Sequence, residues 1–140
     1  MSLPLETRIN PSCVFRSAGE QKIADVLSKY GIPFKYESPT LVQDEQQKPR
    51  IWYPDFFLPT HGIYIEYYGL RGSPSYDSFR LKKDQVYREQ GLEVIAIDPL
   101  VPDHKLDSYL INQIYRVQAR RYQGIKSKVY ALRTGKRQRY

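Results

Sequence analysis

Apolar residues recur along the chain with two periods, and the changes of period mark its elements. Ile23, Ala24, Val26, Leu27 and Tyr30 stand at helical intervals, with Ser17 at the cap position and Glu20 three residues on. Gly31 and Pro33 follow, so a helix is predicted from about residue 18 to 30 after an irregular arm. Residues 34–37 read as a short strand, and residues 38–50, polar with two prolines, as an exposed loop or extended hairpin end. Two runs rich in Ile, Tyr, Phe and Trp come next, residues 51–58 and 63–68, each predicted to be a strand. Pro59, Thr60, His61 and Gly62 between them have turn chemistry, which makes the pair a β-hairpin.

Beyond a Gly- and Pro-containing loop, Tyr76, Phe79, Arg80, Lys83, Val86 and Tyr87 share one face of a helix predicted over residues 75–90. Gly91 ends it, and residues 93–98 form a compact strand with Asp98 as a turn residue. A last helix is predicted from His104 to about Tyr122, with Leu106, Tyr109, Leu110, Ile114 and Val117 at helical spacing. The order is helix, strand, hairpin, helix, strand, helix: α-β-β-β-α-β plus one helix, a mixed α/β (α+β) class with a central mixed sheet flanked by helices.

The chain has 140 residues, enough for one domain with its own core, drawn over residues 1–122. A single cysteine, Cys13, excludes an internal disulfide and a multi-cysteine zinc site, which points to a reducing compartment. No apolar run is long enough to span a membrane and the N-terminus lacks a signal-peptide pattern, so the expectation is cytoplasmic, nucleoid-associated if bacterial, with no membrane partner. Charge changes the picture more. Residues 108–140 hold nine Lys or Arg and no Asp or Glu, whereas residues 1–107 carry about −2 formally. The net +7 therefore belongs to the C-terminal quarter, which suits a polyanion, most simply nucleic acid. The last helix turns basic with Arg116, Arg120 and Arg121. Residues 123–140, read as a basic tail, interleave Lys126, Lys128, Arg133, Lys136, Arg137 and Arg139 with apolar and aromatic residues. That mixture can contact phosphates and stack on bases, and the tail is expected to order on binding. Arg71 in the loop and Arg80 and Tyr87 on the helix are further candidate contacts, although Tyr87 is also well placed simply to pack.

The candidate chemistry sits in the hairpin. If Leu58 and Ile63 close its loop, Asp55 faces Glu66, with Cβ atoms about 5 Å apart. Two carboxylates there repel by about 3 kcal/mol at an effective dielectric near 20. Their neighbours Tyr53, Phe57, Tyr64 and Tyr68 bring no cation, so the pair calls for a metal, a shared proton or a base from elsewhere. Lys83, set among Phe79, Val86 and Tyr87, is an inward-looking amine that needs an acidic or phosphate partner, while Lys82 is one position round and better exposed. Set against this, a hairpin with one acid per strand is a common structural feature, and a helix Lys often reaches along the surface to water.

The motif YPDF, then IEYYG with ten residues between Asp55 and Glu66, resembles the PD-(D/E)xK nuclease superfamily over residues 17–99. The resemblance implies a restriction-endonuclease-like core. It implies a Mg²⁺-dependent DNA endonuclease of recombination, repair or mobile-element type, with Mn²⁺ a substitute and RNA a lesser substrate. Asp55 and Glu66 would hold the ion and the Tyr67 carbonyl would complete the shell. Where the superfamily has Lys, this chain has Tyr68, and Lys83, or else Lys82, would be the migrated amine. Glu20 would add a metal or substrate contact, or serve only its helix cap. The alternatives are a non-catalytic nucleic-acid-binding module on a degenerate nuclease fold, or a nuclease subunit of a larger complex. A homodimer is compatible with the sequence but not indicated by it.

Overall fold

A computed structural model describes residues 15–69 and 74–134. The element order is α1 (Ala18–Lys29), β1 (Lys35–Tyr36), β2 (Thr40–Gln43), β3 (Pro49–Trp52), β4 (Phe56–Leu58), β5 (Ile63–Tyr67), α2 (Pro74–Glu89), β6 (Val94–Ile97), a 3₁₀ turn (Asp103–Lys105) and α3 (Leu106–Thr134). It is a mixed α+β architecture. Four strands form one sheet in the order β1-β4-β5-β6, antiparallel except for the parallel pair β5/β6, whose crossover is α2. No described helix is long and apolar enough to cross a membrane.

The helix ends follow the sequence signals. Ser17 is extended, and its Oγ accepts from Glu20 N at 3.1 Å. Both α1 and α2 stop at a glycine with positive φ, Gly31 at 64° and Gly91 at 70°. The next amide reaches back into the last turn in each case: Ile32 N to Leu27 O at 2.9 Å and Leu92 N to Tyr87 O at 3.0 Å.

One face of the sheet, carrying Phe56, Leu58, Ile63, Ile65, Ile95 and Ile97, is covered by Ile23, Ala24 and Leu27 of α1 and by Leu110, Ile114 and Val117 of α3. Because side chains alternate along a strand, Asp55, Phe57, Tyr64 and Glu66 belong to the other face. There α2 lies, with Val86 and Tyr87 in a smaller cluster that takes in Val42, Trp52 and Val94.

One expectation resolves and two change. Of the two readings of residues 38–50, a loop or an extended hairpin end, the structure has a hairpin, β2/β3, which forms a sheet of its own, and the apolar run 51–58 is divided between that hairpin and β4. The division falls at Tyr53–Pro54–Asp55, where a proline without an amide hydrogen interrupts pairing and lets the chain change sheets. The last helix does not end near Tyr122: α3 continues to Thr134, so most of the stretch read as a tail ordering on binding is helical. Its basic residues are good helix formers, and only Gly124 interrupts them.

Gly124 is in α3, and no atom lies within 4 Å of where its Cβ would be. Gly124→Ala is expected to stabilise the distal turns by about 1 kcal/mol, seen as increased helical ellipticity in far-ultraviolet circular dichroism.

Candidate active site

Asp55 is fixed from two sides. The β4/β5 register, Leu58 against Ile63 through Phe56 against Ile65, continues to set Asp55 opposite Glu66. The Asp55 carbonyl accepts from Glu37 N at 3.0 Å, extending the β1/β4 pairing, and its Oδ2 accepts from Tyr67 N at 2.7 Å, extending the β4/β5 pairing. Glu66 is 3% exposed. Its Oε1 receives two donors from α2, Lys83 Nζ at 3.0 Å and Tyr87 Oη at 2.6 Å. Lys83 and Tyr87 are one helical turn apart, so a single face of α2 delivers both.

Glu20 closes the group from α1. Its Oε2 accepts from Tyr36 Oη at 2.6 Å and from Arg16 N at 3.0 Å. The sequence had placed Glu20 in a capping box, and the Ser17 half of that box is present. The Glu20 carboxylate reaches one residue further back than a box requires, to Arg16. Glu20, Asp55, Glu66, Tyr68 and Lys83 line one cavity of about 280 Å³, with Tyr53 and Phe79 at its rim, 56% and 58% exposed.

Three carboxyls line this cavity with two cations, and one of these, Arg16, is paired with Glu37 outside the group, so Lys83 alone answers the buried acids. Burial first and the Glu66 charge second push the Asp55 carboxyl up to about 8, with Glu20 adding to the rise and the Tyr67 amide opposing it. Glu20 lines the same cavity, and its contribution to the rise comes from its nearby charge. Burial and the Glu66 charge likewise drive the Tyr87 hydroxyl upward, so it stays a donor. Of the three remedies open to a paired acid site, a metal, a proton and a base, the base is present as Lys83 on Glu66, and the raised Asp55 value favours a retained proton.

The fit to a divalent ion can be judged from the donors. Among the described residues no three His, Cys, Asp or Glu side chains form a ready-made metal cluster. Asp55 and Glu66 nevertheless supply hard oxygen donors in a charge-deficient cavity. That suits Mg²⁺, which takes one or two carboxylates and keeps several waters. Tyr67 lines the same cavity, its ring lying over Gly19, where a Cβ would stand 2.1 Å from the ring.

Of the two lysines, Lys83 lies in the acid cavity and Lys82 does not. Lys82 is exposed and lines a neighbouring groove of about 250 Å³ with Trp52, Phe79 and Arg50. Tyr68, where an amine was absent, donates to Asp84 Oδ1 at 2.9 Å, and the Arg80 guanidinium stacks 4.2 Å from its ring centre. Arg80 also lies 3.9 Å from Asp84 and 4.0 Å from Asp98. Asp84 and Tyr36 were missed; the i,i+4 spacing of Arg80 and Asp84 was a usable signal for the first, whereas nothing local announced the second.

Several candidate nucleic-acid contacts are otherwise engaged. Tyr87 is 1% exposed and holds Glu66, so it packs and positions rather than meeting a ligand. Arg120 pairs with Glu93 at 2.9 Å, beside a larger hollow of about 490 Å³ that gathers no acid pair like that of the cavity. Arg121 binds the β4–β5 turn, donating to the carbonyls of His61 and Gly62. Arg116, Lys126, Lys128 and Arg133 are exposed on α3, and no residue of α3 lines the acid cavity. Arg71, Lys136, Arg137 and Arg139 lie outside the described residues. In comparison with known proteins, no protein-family model and no curated protein sequence matches the chain.

An Asp with a raised value binds its proton more tightly when folded, so its contribution to stability is full below the ordinary value of about 3.9 and is lost as pH rises through about 8. Asp55→Asn is therefore expected to melt close to wild type near pH 4 and above it near pH 9, with the gain growing between the two. Thermal denaturation across that range checks it, and a constant difference would contradict it.

Proposed function

We propose that this chain is a divalent-metal-dependent DNA endonuclease on a restriction-endonuclease-like core, a divergent relative of the PD-(D/E)xK superfamily. The observation that carries the reading is the convergence of Asp55, Glu66 and Lys83 in one cavity, two acids from paired strands and an amine from the next helix. Asp55 and Glu66 would hold Mg²⁺ or Mn²⁺, with the Tyr67 carbonyl as a third donor. When bound, the ion supplies Lewis acidity toward phosphoryl oxygens and lowers the pKa of a coordinated water.

The protein groups have separable parts in phosphodiester hydrolysis. Lys83, 3.0 Å from Glu66, offsets negative charge building on the phosphoryl group and orients the attacking water. Tyr87 keeps the Glu66 carboxylate aimed into the cavity. Glu20, fixed by Tyr36 and lining the same cavity, would add a contact to the metal's waters or to substrate. Tyr53 and Phe79 at the rim offer faces on which bases flanking the scissile phosphate can stack.

A second reading, a nucleic-acid-binding module that no longer cuts, is favoured by Tyr68 standing where the superfamily has an amine and by the pairing of Lys83 with Glu66. The two separate in one experiment. Purified protein is given linear, nicked, single-stranded and four-way DNA with Mg²⁺, Mn²⁺ or EDTA. Cutting that needs the metal, and that falls on the order of a hundredfold or more in Asp55→Asn and in Lys83→Met, supports the nuclease. Lys82→Ala is expected to retain nearly full activity. Salt-sensitive binding without cutting supports the module. In parallel, Mg²⁺ or Mn²⁺ is expected to raise the melting temperature of wild type and leave that of Asp55→Asn unchanged.

A further inference from the structure

The second half of α3 is unaccounted for by the site. The helix starts beside the C-terminal end of β6, where Lys22 and Asp103 pair, and by Arg121 it has reached the β4–β5 turn. That turn is the far end of β5 from Glu66, about 10 Å away along the strand. The thirteen residues after Arg121 carry α3 about 20 Å further in the same sense, away from the acid cavity. Val117 is the last buried residue in the helix.

Most of its exposed apolar residues fall in one row. Tyr115, Tyr122, Ile125, Val129 and Leu132, together with half-buried Ile111 and polar Gln118, follow one another at alternating steps of four and three, the a/d repeat of a helix that packs against another helix, while exposed Tyr130 stands outside the row. Tyr122 is 62% exposed, Ile125 62%, Val129 42% and Leu132 77%. Seventeen helical residues beyond Val117 bury no side chain and include a mid-helix glycine. Such a segment is marginal alone and is stabilised by covering its apolar face.

Charge identifies what covers it. Lys126 and Arg133 flank the stripe on one side and Lys128 on the other, and no Asp or Glu occurs from residue 108 onward. A second copy would set these cations against themselves, which disfavours self-pairing. DNA would meet the cations but leave Ile125, Val129 and Leu132 uncovered. We propose that the distal half of α3 is a docking helix for a partner protein, which supplies an amphipathic helix with an a/d apolar seam edged by Asp and Glu. The partner sits at the end of the sheet opposite the acid cavity, so it can hold the domain while leaving that cavity open. The proposal does not depend on the nuclease reading.

The test uses the full chain and two synthetic helical peptides with Ile and Leu at a and d, one with Glu at e and g and one with Lys. The Glu peptide is expected to bind at least about tenfold tighter than the Lys peptide, by fluorescence anisotropy. Binding is expected to fall by a similar factor in Ile125→Ser/Val129→Ser, whose changes are at exposed positions and leave the melting temperature of the folded core unaltered. Lys126→Glu/Lys128→Glu should exchange the preference toward the Lys peptide. Equal binding of the two peptides overturns the proposal. So does a dimer in sedimentation that Ile125→Ser/Val129→Ser abolishes, and so does duplex DNA affinity lost in that same variant.

Discussion

The buried carboxylate of Glu66 is the constraint around which this molecule is arranged. A charge in a strand interior is tolerated only with partners, and here both come from α2, Lys83 and Tyr87. At about 3 Å the attraction to Lys83 is on the order of 5 kcal/mol before desolvation is subtracted. Removing either member would strand the other. The pair therefore fixes how α2 seats on the sheet, and through the parallel β5/β6 crossover it fixes β6 as well. Asp55 bears the consequence: with Glu66 already compensated by Lys83, its own charge has only the Tyr67 amide to lean on, and its proton stays.

Much of this was legible in the chain. The hairpin register followed from the four-residue turn, because side chains repeat every second residue and a slip by one would have turned every apolar position outward. The inward Lys83 followed from helical spacing. What escaped was non-local. The β2/β3 hairpin is short and mostly exposed, its only fully buried member is Val42, and it owes its place to docking on α2. Periodicity has little to register in four residues with one inward side chain. The bond from Tyr36 to Glu20 joins elements sixteen residues apart, and no pattern within either announces it.

The basic C-terminal quarter shows how composition and placement differ. Its charge suggested nucleic acid, yet Arg120 and Arg121 are spent on Glu93 and on the β4–β5 turn. The remaining exposed cations ride a helix on the sheet face opposite Glu66. The formal charge of the sequence is the same under either arrangement. Only the three-dimensional path of α3 separates a surface that serves the cavity from one that faces elsewhere.

The break at Tyr53, Pro54 and Asp55 has a mechanical side. Those three residues are the direct covalent link between the β2/β3 hairpin and β4, and the last of them is the aspartate. Whatever leans on the outer hairpin, whose Leu41 and Ile51 stand paired in solvent, transmits its load to that carboxyl through a tether three residues long, one of them a rigid proline. The hairpin's seat on α2 and the backbone position of the acid are thus set by one short tether.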